Sequence, residues 1–104
     1  MTAYVVMLRE RTTDPEALAL YREQAPRARE AHPLTPLAFY GSHETLEGED
    51  VEGVAILAFP SMAEARAWYS SPEYQAALPH RIAGSVSRVL LVAGTDEPPA
   101  GSPT

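Results

Sequence analysis

The run VEGVAILAF, from Val51 to Phe59, is apolar at nearly every position. Its β-branched and aromatic content reads as a strand. Successive side chains of a strand point to opposite faces, so Ala55, Leu57 and Phe59 share one side and Val54, Ile56 and Ala58 the other. A strand covered on one side only should alternate apolar with polar, and this one does not. Two further segments repeat the pattern. In AYVVMLRER (Ala3 to Arg11), Val5 and Met7 oppose Val6 and Leu8. In SVSRVLLVA (Ser85 to Ala93), Val86 and Leu90 oppose Val89 and Leu91. A sheet built from such strands needs cover on both faces.

The segments between the strands supply cover for one face. TTDPEALALYREQAPRAREAH carries Leu18, Tyr21, Ala25 and Ala28 at helical spacing. Its start admits two readings: Thr13 with Glu16 as a capping box, or Asp14 as cap with Pro15 at the first helical position. Pro26 should kink this helix or begin a new turn. LAFYGSHETLEG (Leu37 to Gly48) reads as a second strand loosened at Gly41, and the EGED turn joins it to Val51–Phe59 as a hairpin. PSMAEARAWY opens a second helix, with Ser61 and Glu64 in capping-box spacing. Ser71-Pro72 interrupts that helix and restarts it, and it runs on to Gly84.

The resulting order is β-α-β-β-α-β, an α+β, ferredoxin-like split βαβ pattern. It predicts a four-stranded antiparallel sheet with both helices on one face, in a single domain over residues 1–94. The tail GTDEPPAGSPT lacks apolar residues, and residues 95–104 are expected to be disordered. The second sheet face stays apolar and uncovered. A second copy of the same sheet is the economical cover, so the chain is expected to be a homodimer, with itself as its partner.

Composition removes several function classes. The net charge of −6 makes a poor match for a phosphate backbone, so no nucleic-acid partner is expected. All eight basic residues are arginine and none is lysine, which excludes a Schiff-base or P-loop lysine. No cysteine is present, so disulfides and thiolate metal sites are excluded. The three histidines have no HxH, HxxxH or HExxH spacing, and no metal or cofactor is expected. There is no G-x-S-x-G elbow and no glycine-rich phosphate loop. No segment approaches a membrane span, and no basic region leads into an apolar run at the start. No membrane association is expected, and the location is read as cytoplasmic.

AYVVMLRERTTDPEALALYREQAP, the LEG after the second strand, and FPSMAEARAWYSSPEYQAAL followed by SRVLLVAG resemble the domain-of-unknown-function 1330 family, a member of the dimeric α/β-barrel superfamily. The resemblance covers roughly residues 3 to 94. It implies a homodimer whose sheets face each other and enclose pockets. Relatives in that superfamily include cofactor-independent monooxygenases, isomerases, cyclases, dehydratases and small-molecule binders. Members tend to carry an Arg-Gly-Gly stretch in the second strand. Here the corresponding stretch is Phe39-Tyr40-Gly41, followed by Ser42-His43, which hints at a specialised pocket.

Candidate site residues centre on that departure. His43 suits proton transfer near neutral pH, and strict alternation places it on one face with Leu37, Phe39 and Gly41. Tyr40 falls on the opposite face, unless a bulge at Gly41 brings the two side chains together. Arg88 sits inside an apolar strand and needs either an acidic partner, such as Glu10 or Glu44, or a ligand anion. Arg9, nearer its strand end, reads as solvated. The catalytic candidates are therefore His43, Tyr40 and Arg88. Phe39, Tyr21, Trp68 and Tyr69 are the candidates for lining a pocket. His80 and Arg81 read as solvated or dimer-contacting, and His32 as a helix-end cation. The function expected is a cofactor-independent cyclase, isomerase or monooxygenase-like enzyme acting on a small apolar, aromatic or polyketide-like ligand. The alternative is a non-catalytic dimeric protein, one that binds such a ligand without turning it over or is stress-related.

Overall fold

Backbone pairing of the two-sided strands sets the architecture. A computed structural model describes residues 2–96. Strand β1 spans Ala3–Thr12, helix α1 Pro15–Gln24, a 3-10 segment Ala25–Arg29, and β2 Thr35–Phe39. Strand β3 spans Gly53–Phe59, α2 Met62–Ser70, α3 Pro72–Gly84 and β4 Ser85–Ala93. The sheet order is β2-β3-β1-β4 with every neighbouring pair antiparallel, the ferredoxin-like arrangement expected. Among the described residues no helix is long and apolar enough to cross a membrane.

The helix boundaries follow local chemistry. Of the two possible starts for α1, Asp14 is the cap: its carboxylate accepts from the backbone of Glu16 and Ala17, with Pro15 just inside the helix. Pro26 is the second residue of the 3-10 segment, which replaces a continuation of α1. Ser61 caps α2 by accepting from the Glu64 backbone. Ser71 then does two jobs, accepting from the Tyr74 backbone to start α3 and donating to the Trp68 carbonyl to close α2. The expected second helix is thus two helices hinged at one serine.

The core lies between the sheet and these helices. Ala3, Val5 and Met7 of β1 and Ala55, Leu57 and Phe59 of β3 are buried against Ala28, Ala65, Trp68 and Tyr74. Phe59 and Tyr74 are the largest fully buried side chains, and burying a ring of that size contributes about 1.5–3 kcal/mol. Along α3, Tyr74, Ala77, Arg81 and Gly84 are the buried positions, one stripe at helical spacing. Gly84 ends that stripe where α1 crosses it. A Cβ there would come within 2.7 Å of the Leu18 backbone nitrogen. The Thr13 and Asp14 amides donate to the Gly84 carbonyl, so the start of α1 is pinned to the end of α3.

The opposite sheet face behaves as its sequence foretold. Val6, Leu8, Val54, Ile56 and Ala58 are half-buried, while Leu90 and Val92 are each 48% exposed. Arg88 lies on this face, opposite Leu8, with its Nε 3.6 Å from Glu10 Oε1. Glu10 is therefore its acidic partner, one of the two anticipated. After β4, Thr95 and Asp96 form a turn in which the Asp96 carboxylate accepts from the Thr2 amide. The remainder of the expected tail lies outside the described residues.

The second strand departs most from expectation. It ends at Phe39 instead of Gly48, and residues 41–52 form a loop. Leu37 is the extra residue of a bulge: Pro36 pairs with Leu57, and the next pair is Ala38 with Ile56. One step later Tyr40 adopts φ 57°, the left-handed region that a bulky side chain rarely occupies.

Candidate functional site

The two irregularities in β2 build one wall of a cavity. Phe39 pairs with Ala55 and so faces the helices, as side chains directly opposite across antiparallel strands share a face. Strict alternation would send Tyr40 to the other side. Its left-handed backbone turns it back, and the Phe39 and Tyr40 rings meet edge-on with centroids 4.9 Å apart. The Tyr40 ring then lies over Gly53, where an added Cβ would stand 2.6 Å from the ring. A glycine at 53 is what leaves room for the ring, and the Arg9 guanidinium closes the sandwich at 4.6 Å from its centroid.

The cavity encloses about 250 Å³ between the sheet and the helices. Its floor is Met7 and Leu57 of the sheet. Leu18, Tyr21 and Ala25 form one side, and Trp68 and Arg81 the other, with Phe39 and Tyr40 at the β2 edge. Buried rings back Trp68 and Tyr21. Trp68 packs on Tyr74 at 4.3 Å and on Phe59 at 5.3 Å, while Tyr74 meets Tyr21 edge-on at 6.0 Å. The Tyr21 and Tyr74 hydroxyls are 2.8 Å apart and hydrogen-bonded.

The charged groups of the cavity are all cationic, and its hydroxyls come from Tyr21, Tyr40, Ser85 and Ser87. Burial, with Tyr74 alongside, holds the Tyr21 phenol far above its ordinary range. Burial raises Tyr40 as well, against the opposing pull of Arg9. Both phenols are therefore neutral at neutral pH. Arg9 is 14% exposed and not solvated as its position suggested: its Nε donates to Glu52 Oε1 at 2.7 Å. The same Glu52 carboxylate accepts from the Thr12 hydroxyl, the main reason it titrates below the usual glutamate range. Arg81 is only 8% exposed, again contrary to the expected solvated role, and its guanidinium stands 6.0 Å from the Tyr21 ring. Two buried donors, Trp68 Nε1 and Arg81 Nε, have no hydrogen-bond partner among the described residues.

Of the catalytic candidates, only Tyr40 lines this cavity. His43 is in the loop after β2, where its Nε2 donates to the Val51 carbonyl at 2.8 Å and lies 3.5 Å from Asp50 Oδ1. The alternation that placed it beside Phe39 fails because the strand ends four residues earlier. The bulge expected at Gly41 occurs at Leu37, and it joins Tyr40 to Phe39, not to His43. Arg88 is on the far face of the sheet. Phe39, Tyr21 and Trp68 line the cavity together, whereas Tyr69 lines a separate surface groove with Val5, Val89 and Leu91. Arg81 went unrecognised as a site residue, and Tyr74, fully buried, stands behind the lining residues and not among them. The stripe that Arg81 shares with Tyr74 on α3 was the available signal, since an arginine two turns after a buried tyrosine falls on the same helix face. No group of three or more histidine, aspartate or glutamate side chains converges as metal ligands among the described residues.

Solved structures share the fold. A protein of unknown function from Rhodopseudomonas palustris is 24% identical and superposes with a TM-score of 0.69, covering 88% of this chain and 80% of that one. A dimeric ferredoxin-like protein of unknown function from Thermobifida fusca is 14% identical, with a TM-score of 0.60 over 89% of this chain and 91% of that one. SnoaB, a cofactor-independent oxygenase from Streptomyces nogalater, is 15% identical, with a TM-score of 0.55 over 94% of this chain and 96% of that one. At these identities the likeness is one of fold. No curated protein matches the sequence. A family model does match, over residues 2–95, and the chain belongs to the family that this model describes, the domain of unknown function DUF1330.

Proposed function

We propose that the chain forms a homodimer through its open sheet face and uses the helix-side cavity to hold a small, largely apolar, aromatic or polyketide-like molecule. The observation that carries this reading is the composition of the cavity. Aromatic and aliphatic walls of Leu18, Phe39, Leu57 and Trp68 surround a few convergent donors, which is how small-molecule sites are generally built. The dimeric protein from Thermobifida fusca supports the homodimer by likeness of fold.

Within this reading the chain acts as a cofactor-independent enzyme of cyclase, isomerase or monooxygenase type, a class to which the similarly folded SnoaB belongs. Tyr40 and Tyr21, kept protonated by burial, donate to a substrate oxygen and stabilise negative charge as it develops there. The strained backbone at Tyr40 supports a functional role, since such residues cost about 1–3 kcal/mol and cluster at ligand sites. A second reading, binding without turnover, draws on one specific observation. No histidine, aspartate or glutamate is among the cavity-lining residues, so no lining side chain is suited to accept a proton near neutral pH.

One experiment separates the two. The protein is incubated in air with a panel of polyphenols and enolisable aromatic ketones, and the products are analysed by mass spectrometry, with Tyr40→Phe in parallel. Turnover of a bound compound that falls at least about tenfold in Tyr40→Phe supports catalysis. A compound that saturates one site per chain and is recovered unchanged favours the binding reading. If no compound on the panel binds, the cavity is not the site.

A further inference from the structure

The charges around the cavity are one-sided. Four of its lining residues are arginines, Arg9, Arg22, Arg29 and Arg81, and none is acidic. That is half of all the arginines in a chain whose net charge is −6. Arg9 is neutralised by Glu52 and serves as a lid on Tyr40. Arg9–Glu52, His43–Asp50 and Arg88–Glu10 are ion pairs, and Arg22, Arg29 and Arg81 have no carboxylate of the described residues within ion-pair distance.

Arg81 is the telling member. Arg81 is more than nine-tenths buried as a residue, and a cation so placed without a counter-charge among the described residues is costly to desolvate unless something pairs with it. Its Nε and the Trp68 Nε1 are sealed in the packing with no hydrogen-bond partner among the described residues. A guanidinium only donates, and Arg81 lines the cavity, so a group that pairs with it there must be an acceptor. The planar fork of a guanidinium fits a carboxylate. The remaining wall is aromatic and aliphatic, and the volume is just below the range of about 300–1,000 Å³ typical of pockets for drug-sized ligands.

We infer that the cavity selects an aromatic monocarboxylate of one or two rings, its carboxylate paired with Arg81 and its ring system against Trp68, Tyr21 and Phe39. Arg22 and Arg29, exposed on the rim, draw the anion in against the overall negative charge of the chain. This rests on the cavity being the ligand site and adds the charge and chemical class of what it takes.

Trp68 is the only tryptophan, so its fluorescence reports on the cavity directly. The test titrates the full chain with 2-naphthoate and with 2-naphthalenemethanol, its uncharged counterpart, reading fluorescence and heat of binding. The carboxylate should bind at least about tenfold more tightly than the alcohol, and Arg81→Met should abolish that preference while leaving alcohol binding within about threefold. Arg81→Lys should restore part of it. Inorganic phosphate at millimolar concentration should not compete. Should Arg81→Met fail to fold, the salt dependence of the unsubstituted protein decides instead: added chloride should weaken carboxylate binding and spare the alcohol. Equal affinities for acid and alcohol, or a carboxylate affinity indifferent to Arg81 and to salt, would overturn the inference and leave the cavity reading standing. Binding of neither compound would overturn both.

Discussion

The Tyr21 and Tyr74 hydroxyls, 2.8 Å apart, tie α1 to α3 along the wall of the cavity. The bond exists because Gly84 lets α1 cross α3 closely and because Tyr74 lies on the same buried stripe as Gly84. A buried hydroxyl that loses its partner costs about 1–3 kcal/mol, whereas removing both hydroxyls costs much less. Tyr21→Phe and Tyr74→Phe should each destabilise the fold by about 1 kcal/mol, and the double variant by less than the sum. A denaturant double-mutant cycle should give a coupling of about 0.5–1.5 kcal/mol. Strict additivity would show that the two hydroxyls do not sense each other.

The same burial makes stability depend on alkaline pH. Tyr21 is raised above its unfolded value, chiefly by burial, and Tyr40 is raised for the same reason. A raised group contributes stability that is fully present below the unfolded-state pKa and is lost as pH rises through the folded one. The unfolded pKa of tyrosine is about 10, so the melting temperature should hold up to about pH 10 and fall above it. Tyr21→Phe should make that fall shallower. The same alkaline slope in both proteins would contradict the burial of a protonated phenol at position 21.

Most of the architecture was legible because it is written in local patterns. Alternation in β1, β3 and β4, the Ser61 and Ser71 caps and the prolines at Pro15 and Pro72 each act within a few residues. The two-sided apolar strands foretold the half-buried second face. The site was less legible, since its geometry depends on breaks in pattern. A bulge at Leu37 and a left-handed Tyr40 reverse the facing of Phe39 and Tyr40, and neither position is a glycine that would announce a break. His43 was misplaced by extending alternation through those breaks. Arg81 was missed because an arginine late in a helix ordinarily meets water, and its burial arises from the crossing of α1 over α3.

Glycines at 41 and 84 should respond very differently to an added methyl. At Gly41 a Cβ meets nothing within 4 Å, and Gly41→Ala should change stability by no more than about 0.5 kcal/mol. At Gly84 it meets the Leu18 backbone at 2.7 Å and the Asp14 carbonyl at 3.0 Å, atoms that move only if α1 moves. Gly84→Ala should cost about 2 kcal/mol or more and weaken ligand binding, because Leu18 and Tyr21 ride on α1. Comparable stabilities for the two variants would remove the close helix crossing as the device that shapes the cavity.

His43 should prove dispensable to the cavity. It is 28% exposed at the side chain and braces the loop through the Val51 carbonyl and Asp50. His43→Ala should therefore cost no more than about 1 kcal/mol and leave 2-naphthoate affinity within about twofold. A loss matching that of Arg81→Met would place His43 in the ligand site after all.

The open sheet face carries the homodimer proposal, and its chemistry sets the test. Leu90 and Val92 are each 48% exposed in the single chain, beside the half-buried Val6 and Ile56. Pairing by a second copy would bury this surface at about 25 cal/mol per Å² before the costs of association. A glutamate in place of Leu90 would then be buried among apolar side chains, with Arg88 on the same face already engaged by Glu10. Sedimentation should give the mass of two chains for the unsubstituted protein and of one chain for Leu90→Glu. Glu10→Gln, which frees Arg88, should weaken the dimer far less. If the unsubstituted protein sediments as a single chain at micromolar concentration, the face is not closed by a second copy.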